Sequence, residues 1–222
     1  MIGLVIGIPT RGSDISSGLF TFILNIIMQK PSSNLCVLLG ESSVSAVLAV
    51  GKLWEMLKDI LGTFDYYMQI DSDVVPPLTA IDSMIAKDKD IVVAPIWHYD
   101  SISKDIHINI HLDNLEHRFY GLRSGGCERI YASSLGCVLM KHKVVETFIK
   151  SKEDPIGWSS LLGEYTGKHI HNDNIFFAKA NKLGLETWVD WDVKNVIHKR
   201  GIELSTEVLG KFVQRIQSGK DV

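Results

Sequence analysis

Two carboxylates one residue apart, in Asp71-Ser72-Asp73, close the apolar run Tyr66-Tyr67-Met68-Gln69-Ile70. That run reads as a buried strand, and Pro76-Pro77 just beyond stop any continuation. Side chains alternate along a strand with period two, so residues i and i+2 share a face. Both carboxylates are therefore expected to reach one point past the strand end, and in open α/β sheets that carboxyl edge is where ligands bind. Two converging anions are costly unless a cation joins them. A hard divalent ion such as Mg²⁺ or Mn²⁺ takes oxygen ligands and commonly bridges to phosphate. A bare Asp-x-Asp is more often a turn or a helix cap. Its place after a buried strand is what turns the reading toward metal.

The elements that must hold such a pair follow from composition and pattern. The chain has 222 residues, which suits one continuous unit over 1–222 better than two small ones. Its two halves, about 1–96 and about 97–222, differ in pattern. Hydrophobic residues make up 45% and charged residues 22%, an ordinary globular balance. A net charge of −3 gives no broad attraction to nucleic acid or to an anionic membrane, so neither is expected as a partner. The three cysteines have no metal-ligand spacing. Cys36 and Cys137 lie in apolar runs and read as buried thiols, which suits a reducing compartment. Ile2–Ile8 is strand-like and lacks the basic flank and cleavage site of a signal peptide. No apolar stretch reaches the roughly 20 residues of a spanning helix. The expected location is cytoplasmic, or peripheral at a membrane.

Strand and helix signals alternate through the first half. Ile2–Ile8 is a strand, and Ser16 or Ser17 caps a helix that runs to about Gln29 before Pro31. Leu35–Leu39 is a strand, residues 44–61 carry a helical stripe, and the strand before Asp71 follows. Thr79–Ala86 reads as a helix and Ile91–Ala94 as a strand. This order implies a largely parallel, buried sheet with right-handed crossovers. In the second half, Ile106–Leu112 alternates strictly and is expected to be one half-exposed antiparallel strand. Its polar face would leave His107 and His111 toward solvent, which argues against a second metal site made with His98 and His117. Ile130–Met140 is strand-like but broken by small residues. His142–Ile149 and Asp173–Lys182 read as helices, and Gly184 stops the second. Thr187–Trp191 and Val193–Ile197 continue the sheet region. Leu204, Val208, Leu209, Phe212, Val213 and Ile216 form a terminal amphipathic stripe. Docking on the protein's own core is the plainer reading of it than membrane binding.

These residues carry a family resemblance. Asp71-Ser72-Asp73, with the apolar run before it and Val74-Val75-Pro76-Pro77-Leu78 after it, resembles the DXD motif of GT-A nucleotide-sugar-dependent glycosyltransferases. Ile8-Pro9-Thr10-Arg11, Ile91–Pro95, Ser134–Met140, His171–Phe177 and Gly184–His198 resemble further segments of that family in the same order. Together they cover about residues 2–200. The resemblance implies an α/β, GT-A-type (Rossmann-like) fold with a mixed, mostly parallel sheet flanked by helices. It implies a metal-dependent transferase that moves a sugar from a UDP- or GDP-linked donor to a hydroxyl of a glycan, protein or lipid, with inversion slightly favoured.

Carried over residue by residue, the resemblance makes Asp73 the leading ligand for Mn²⁺ or Mg²⁺ and Asp71 its helper. It makes His198 a third ligand; the plainer reading of His198 is a histidine in the basic turn with Lys199-Arg200. Asp173 matches the base that deprotonates the acceptor, although a first-turn aspartate is also common for helix reasons alone. Asn172 stands where the family usually has a glutamate. Pro9, Thr10, Arg11, Glu41, Lys52, Asp71 and Ser72 would outline the nucleotide pocket. Lys52 lies in Gly51-Lys52-Leu53 where relatives carry Ala-Arg-Asn, and a solvated helix lysine is the plainer reading. Ser134, Gly136 and Trp158 would meet the donor or acceptor sugar; Trp158 reads equally well as a core residue. Two other classes stay open. A sugar-1-phosphate nucleotidyltransferase would show a glycine-rich loop after its first strand, and Pro9-Thr10-Arg11-Gly12 lacks one. A non-catalytic nucleotide- or carbohydrate-binding module would need no metal pair together with a base.

Overall fold

The computed structural model describes residues 3–10, 12, 14–29, 34–43, 45–100, 105–108, 110–114, 123–153, 155, 172–194 and 196–198. The first half alternates as expected: β1 (Gly3–Thr10), α1 (Ser17–Gln29), β2 (Asn34–Glu41), α2 (Ala46–Asp59), β3 (Tyr66–Ile70), β4 (Val74–Val75), α3 (Ala80–Ala86) and β5 (Ile91–Val93). The second half adds β6 (Trp97–Asp100), β7 (Asp105–Ile108), β8 (Ile110–His111), β9 (Cys127–Ile130), β10 (Ala132–Ser133) and β11 (Cys137–Lys141). It continues with α4 (His142–Ser151), α5 (Asn172–Lys182), β12 (Thr187–Asp190) and β13 (Ile197–His198). Local chemistry sets several of these bounds. Ser16 caps α1, its Oγ accepting from the Leu19 N–H at 3.2 Å, and Ser45 does the same for α2 through Leu48. Gly184 ends the α5 turn with φ +74°, which a glycine adopts without strain.

Seven strands form one sheet in the order β2-β1-β3-β11-β5-β12-β9. Five run in one direction, while β11 and β9 run against them. Strands from both halves of the chain interleave in it. The reversed β11 pairs with β3 on one side and β5 on the other, so a second-half strand occupies the middle of the sheet. Helices cover both faces. Trp54, Leu57, Val145, Phe148 and Phe176 bring α2, α4 and α5 onto one core; Leu19, Phe22, Ile26, Ile81 and Met84 bring α1 and α3 onto the other. No helix among the described residues is long and apolar enough to cross a membrane.

Three expectations are corrected. Ile106–Leu112 is not one strand: β7 pairs with β6, whereas β8 pairs with β10. The change of partner puts His111 under cover, and it is buried rather than solvent-facing. The side chain of His107 and the whole of His117 lie outside the described residues. Ile130–Met140 is likewise three strands, because the chain leaves the main sheet at Tyr131 and returns at Cys137. Cys36 is exposed, not buried, because β2 is the sheet edge and its outer positions are uncovered. Cys137, in central β11, is buried as expected, and burial with the nearby Asp71 charge pushes its thiol up to about 12. A thiol reagent on the native protein should therefore modify Cys36 at once and Cys137 only as the chain unfolds; mass spectrometry of a time course reads both. The apolar stripe from Leu204 to Ile216 lies outside the described residues.

Asp190 closes β12 and is wholly buried. Its Oδ2 accepts from Ser83 Oγ at 2.6 Å, its Oδ1 accepts from the Asp192 N–H at 3.0 Å, and Lys87 lies 3.3 Å away. The group therefore ties the end of β12 to α3. Truncating Asp190 takes the acceptor from Ser83 Oγ and from the Asp192 N–H, while Lys87 keeps its 2.6 Å pair with Asp192. Asp190→Ala should cost about 2 kcal/mol, read as a lower urea midpoint at unchanged slope.

Candidate active site

β3 delivers the aspartate pair to the carboxyl edge of the sheet, and the chain turns there at once. The Val74 N–H donates to the Asp71 carbonyl at 2.9 Å, closing a β-turn over Asp71-Ser72-Asp73-Val74. The period-two argument therefore does not apply, because the strand ends at Ile70 and the pair sits in a turn. The turn is pinned on its outer side, where the Ser16 N–H at the start of α1 donates to the Ser72 carbonyl at 2.9 Å. It is pinned on its inner side by the strap entering β11, where the Asp71 N–H donates to the Gly136 carbonyl at 3.0 Å.

The strap Ser134-Leu135-Gly136 joins the second carboxylate to the first. The Leu135 N–H donates to Asp173 Oδ2 at 3.3 Å, while the adjoining Gly136 holds the backbone of Asp71. Ser134 is buried, and its Oγ accepts from the Gly136 N–H at 3.2 Å, which fixes the strap's bend. A Cβ on Gly136 would lie 3.0 Å from Asp71 Oδ2 and 2.9 Å from Ile96 Cδ1. Only a glycine leaves that carboxylate its room. The negative charge of Asp71 is felt nearby, where it adds to burial in raising both Tyr67 and Cys137.

Asp173 stands in the first turn of α5, where the helix dipole favours a carboxylate. One turn on, Phe176 stacks on Phe148 at 5.0 Å between ring centroids and meets Trp54 at 6.2 Å. These aromatics anchor α5 against the sheet and so set where Asp173 lies. The sequence run Asn172-Asp173-Asn174-Ile175-Phe176-Phe177 thus couples a packing signal to the chemical group.

His198 arrives by a different route. β13 pairs antiparallel with β4, with His198 opposite Val74, the residue after Asp73. The fold therefore brings the His198 backbone beside the aspartate turn; its side chain lies outside the described residues, as do Arg11 and Trp158. Of the other nucleotide-pocket residues, Pro9 and Thr10 end β1 next to Gly40 and Glu41 of β2. Thr10 is buried, and its Oγ1 donates to the Gly40 carbonyl at 3.5 Å. Lys52 reaches across from α2 and donates from Nζ to the Glu41 carbonyl at 2.5 Å. Both end at the carboxyl edge, on the flank of the sheet beyond β1.

Two carboxylates in one turn, with a glycine making room for one of them, are the hard oxygen ligands a divalent ion takes. Among the described residues no three His, Cys, Asp or Glu side chains group closely enough to hold a metal. A pair of carboxylates suits such an ion when phosphate oxygens and waters complete its shell.

One residue at the site escaped the sequence reading. Gln69 is buried in β3 below the turn. Its Nε2 donates to the Leu135 carbonyl at 3.3 Å, and its Oε1 lies 3.4 Å from the Tyr67 hydroxyl. The signal was a lone amide inside an apolar run, which must be hydrogen-bonded when buried.

No protein-family model and no curated protein sequence matches the chain. Among solved structures it is similar to A197 from STIV, at 14% identity over 91% of this chain and 97% of that one, with a TM-score of 0.52. It is more loosely similar to the catalytic domain of Drosophila β1,4-galactosyltransferase 7 complexed with xylobiose: 14% identity, 100% and 82% covered, TM-score 0.47. A glycosyltransferase involved in glycosylation of the major capsid of PBCV-1 matches at 7% identity, with 85% and 82% covered and a TM-score of 0.48. At these identities the likeness is one of fold. The fold is α/β as expected, with a mixed, mostly parallel sheet flanked by helices.

Proposed function

We propose that this protein transfers a sugar from a nucleoside-diphosphate sugar to an acceptor hydroxyl, with inversion at the anomeric carbon. The observation that carries the reading is the Ser134–Gly136 strap, whose one face bonds Asp173 while its other holds Asp71. A candidate base and the backbone of a candidate metal ligand are thereby tied to one strap at the carboxyl edge of the sheet, which supports the reading.

Asp71 and Asp73, with His198 as the further ligand, would hold Mn²⁺ or Mg²⁺. Bound there, such an ion neutralises charge building on the leaving diphosphate. Pro9, Arg11, Glu41 and Lys52 would bind the nucleoside at the β1–β2 edge, over the buried Thr10, with Ser72 at its phosphate end. Asp173 would take the proton of the acceptor hydroxyl as its oxygen bonds to the anomeric carbon and the bond from that carbon to the diphosphate oxygen breaks. The Leu135 N–H holds one oxygen of that carboxylate in place during the transfer. Ser134 and Gly136 would border the sugar, with Trp158 as its stacking surface.

Calorimetry with UDP and GDP, each with and without Mn²⁺, tests the donor site. One of the two should bind, and binding should strengthen at least tenfold when Mn²⁺ is present. Equal affinity with and without the metal would point to a metal-free binding module instead.

A further inference from the structure

α1 carries no Asp, Glu, Lys or Arg, yet much of it faces outward. Leu19, Phe22, Ile23 and Ile26 enter the core. Phe20, Leu24, Ile27 and Met28, spaced i, i+4, i+7 and i+8, form a second apolar flank that is exposed, Phe20 by 55% and Met28 by 77%. Leu39 of β2 is also exposed. It shares a strand face with Leu35 and Val37, which pack into the α1 core, and so extends the patch. A contiguous apolar flank on a charge-free surface helix marks a contact surface.

The path of the chain points to one occupant. β13 runs antiparallel to β4 and reaches Val74 at His198, heading for the Asp71–Asp73 turn. That turn is bonded to the start of α1 through Ser16 and Ser72, and β4 packs on α1. The chain therefore leaves the described structure at the N-terminal end of α1. Five residues, 199–203, separate His198 from the stripe and would span up to about 17 Å if extended. The stripe Leu204, Val208, Leu209, Phe212, Val213 and Ile216 then follows, at helical spacing. It covers thirteen residues, as α1 does, and either makes about 20 Å of helix. Glu207, Lys211, Gln214 and Arg215 fall between the stripe positions.

We infer that the outward flank of α1 is the dock for residues 204–216 of the same chain, laid along it from its N-terminal end. The test uses the full chain. A nitroxide is attached at Lys211→Cys, with Cys36→Ser and Cys127→Ser removing the accessible thiols, and the Leu and Ile methyls are isotope-labelled. The methyl spectrum itself reports folding, and Gln214→Cys serves as a second attachment site. The Leu24 and Ile27 signals should lose more than half their intensity, while Leu57, in the opposite core, keeps its own. Adding Leu24→Glu and Ile27→Glu should remove the broadening of the remaining α1 methyls. Unchanged Leu24 and Ile27 signals would overturn the inference. So would broadening seen only when spin-labelled and isotope-labelled chains are mixed, which means a second copy sits there. Broadening that appears only with anionic phospholipid vesicles would mean that a lipid surface is the occupant.

Discussion

Asp73→Asn should abolish the effect of metal on nucleotide binding and reduce transfer at least roughly 100-fold. The reasoning is electrostatic. An amide keeps the size of the carboxylate and loses its charge, and a divalent ion held largely by carboxylates depends on that charge. The turn should survive, because the bonds that fix it are made by the backbone: Val74 to Asp71, Ser16 to Ser72, and Asp71 to Gly136. The variant should therefore fold as the parent does and bind UDP or GDP with the affinity the parent shows without Mn²⁺. Calorimetry and thermal melting, run side by side, check both halves. A variant that kept the metal-dependent gain would remove Asp73 from the ligand set.

Asp173→Asn should separate binding from turnover. The asparagine side-chain oxygen can still accept from the Leu135 N–H, and Phe176 still anchors α5 against Phe148 and Trp54. Geometry is preserved while the proton acceptor is lost. The kcat should fall about 10²- to 10⁴-fold with nucleotide affinity unchanged. Proton NMR of the first-formed product of the parent enzyme bears on the same residue. Inversion relative to the donor anomer fits one base behind the acceptor oxygen. Retention would remove Asp173 from that role and leave the metal assignment standing. Loss of nucleotide binding in a folded variant would show that the two roles are not divided as proposed.

Local pattern reached far into this protein. The β-α-β-α-β order, a serine cap before α1, the stop at Gly184 and the apolar run ahead of Asp71 all follow from neighbours within a turn or two of helix or strand. Their physics is local, a matter of periodicity, capping and backbone freedom, so the sequence alone determined them. The carboxylate pair was legible for the same reason, at the end of an apolar run, whereas Asp173 was named through the family resemblance, since a first-turn aspartate is common for helix reasons alone.

Burial and meeting were not legible. Cys36 and Cys137 lie in equally apolar runs, and only the order of strands makes one an edge and the other a centre. His111 alternates as a solvent-facing residue should, and is buried because β8 leaves β7 to pair with β10. Asp71 and Asp173 are distant in the chain and share one strap only because β11 inserts, reversed, between β3 and β5. Gln69, a single amide in an apolar strand, gains its purpose from the Leu135 carbonyl that this insertion sets beside it. Such contacts depend on which distant segments pair, and that choice is made by the packing of the whole core, which no short window of sequence contains.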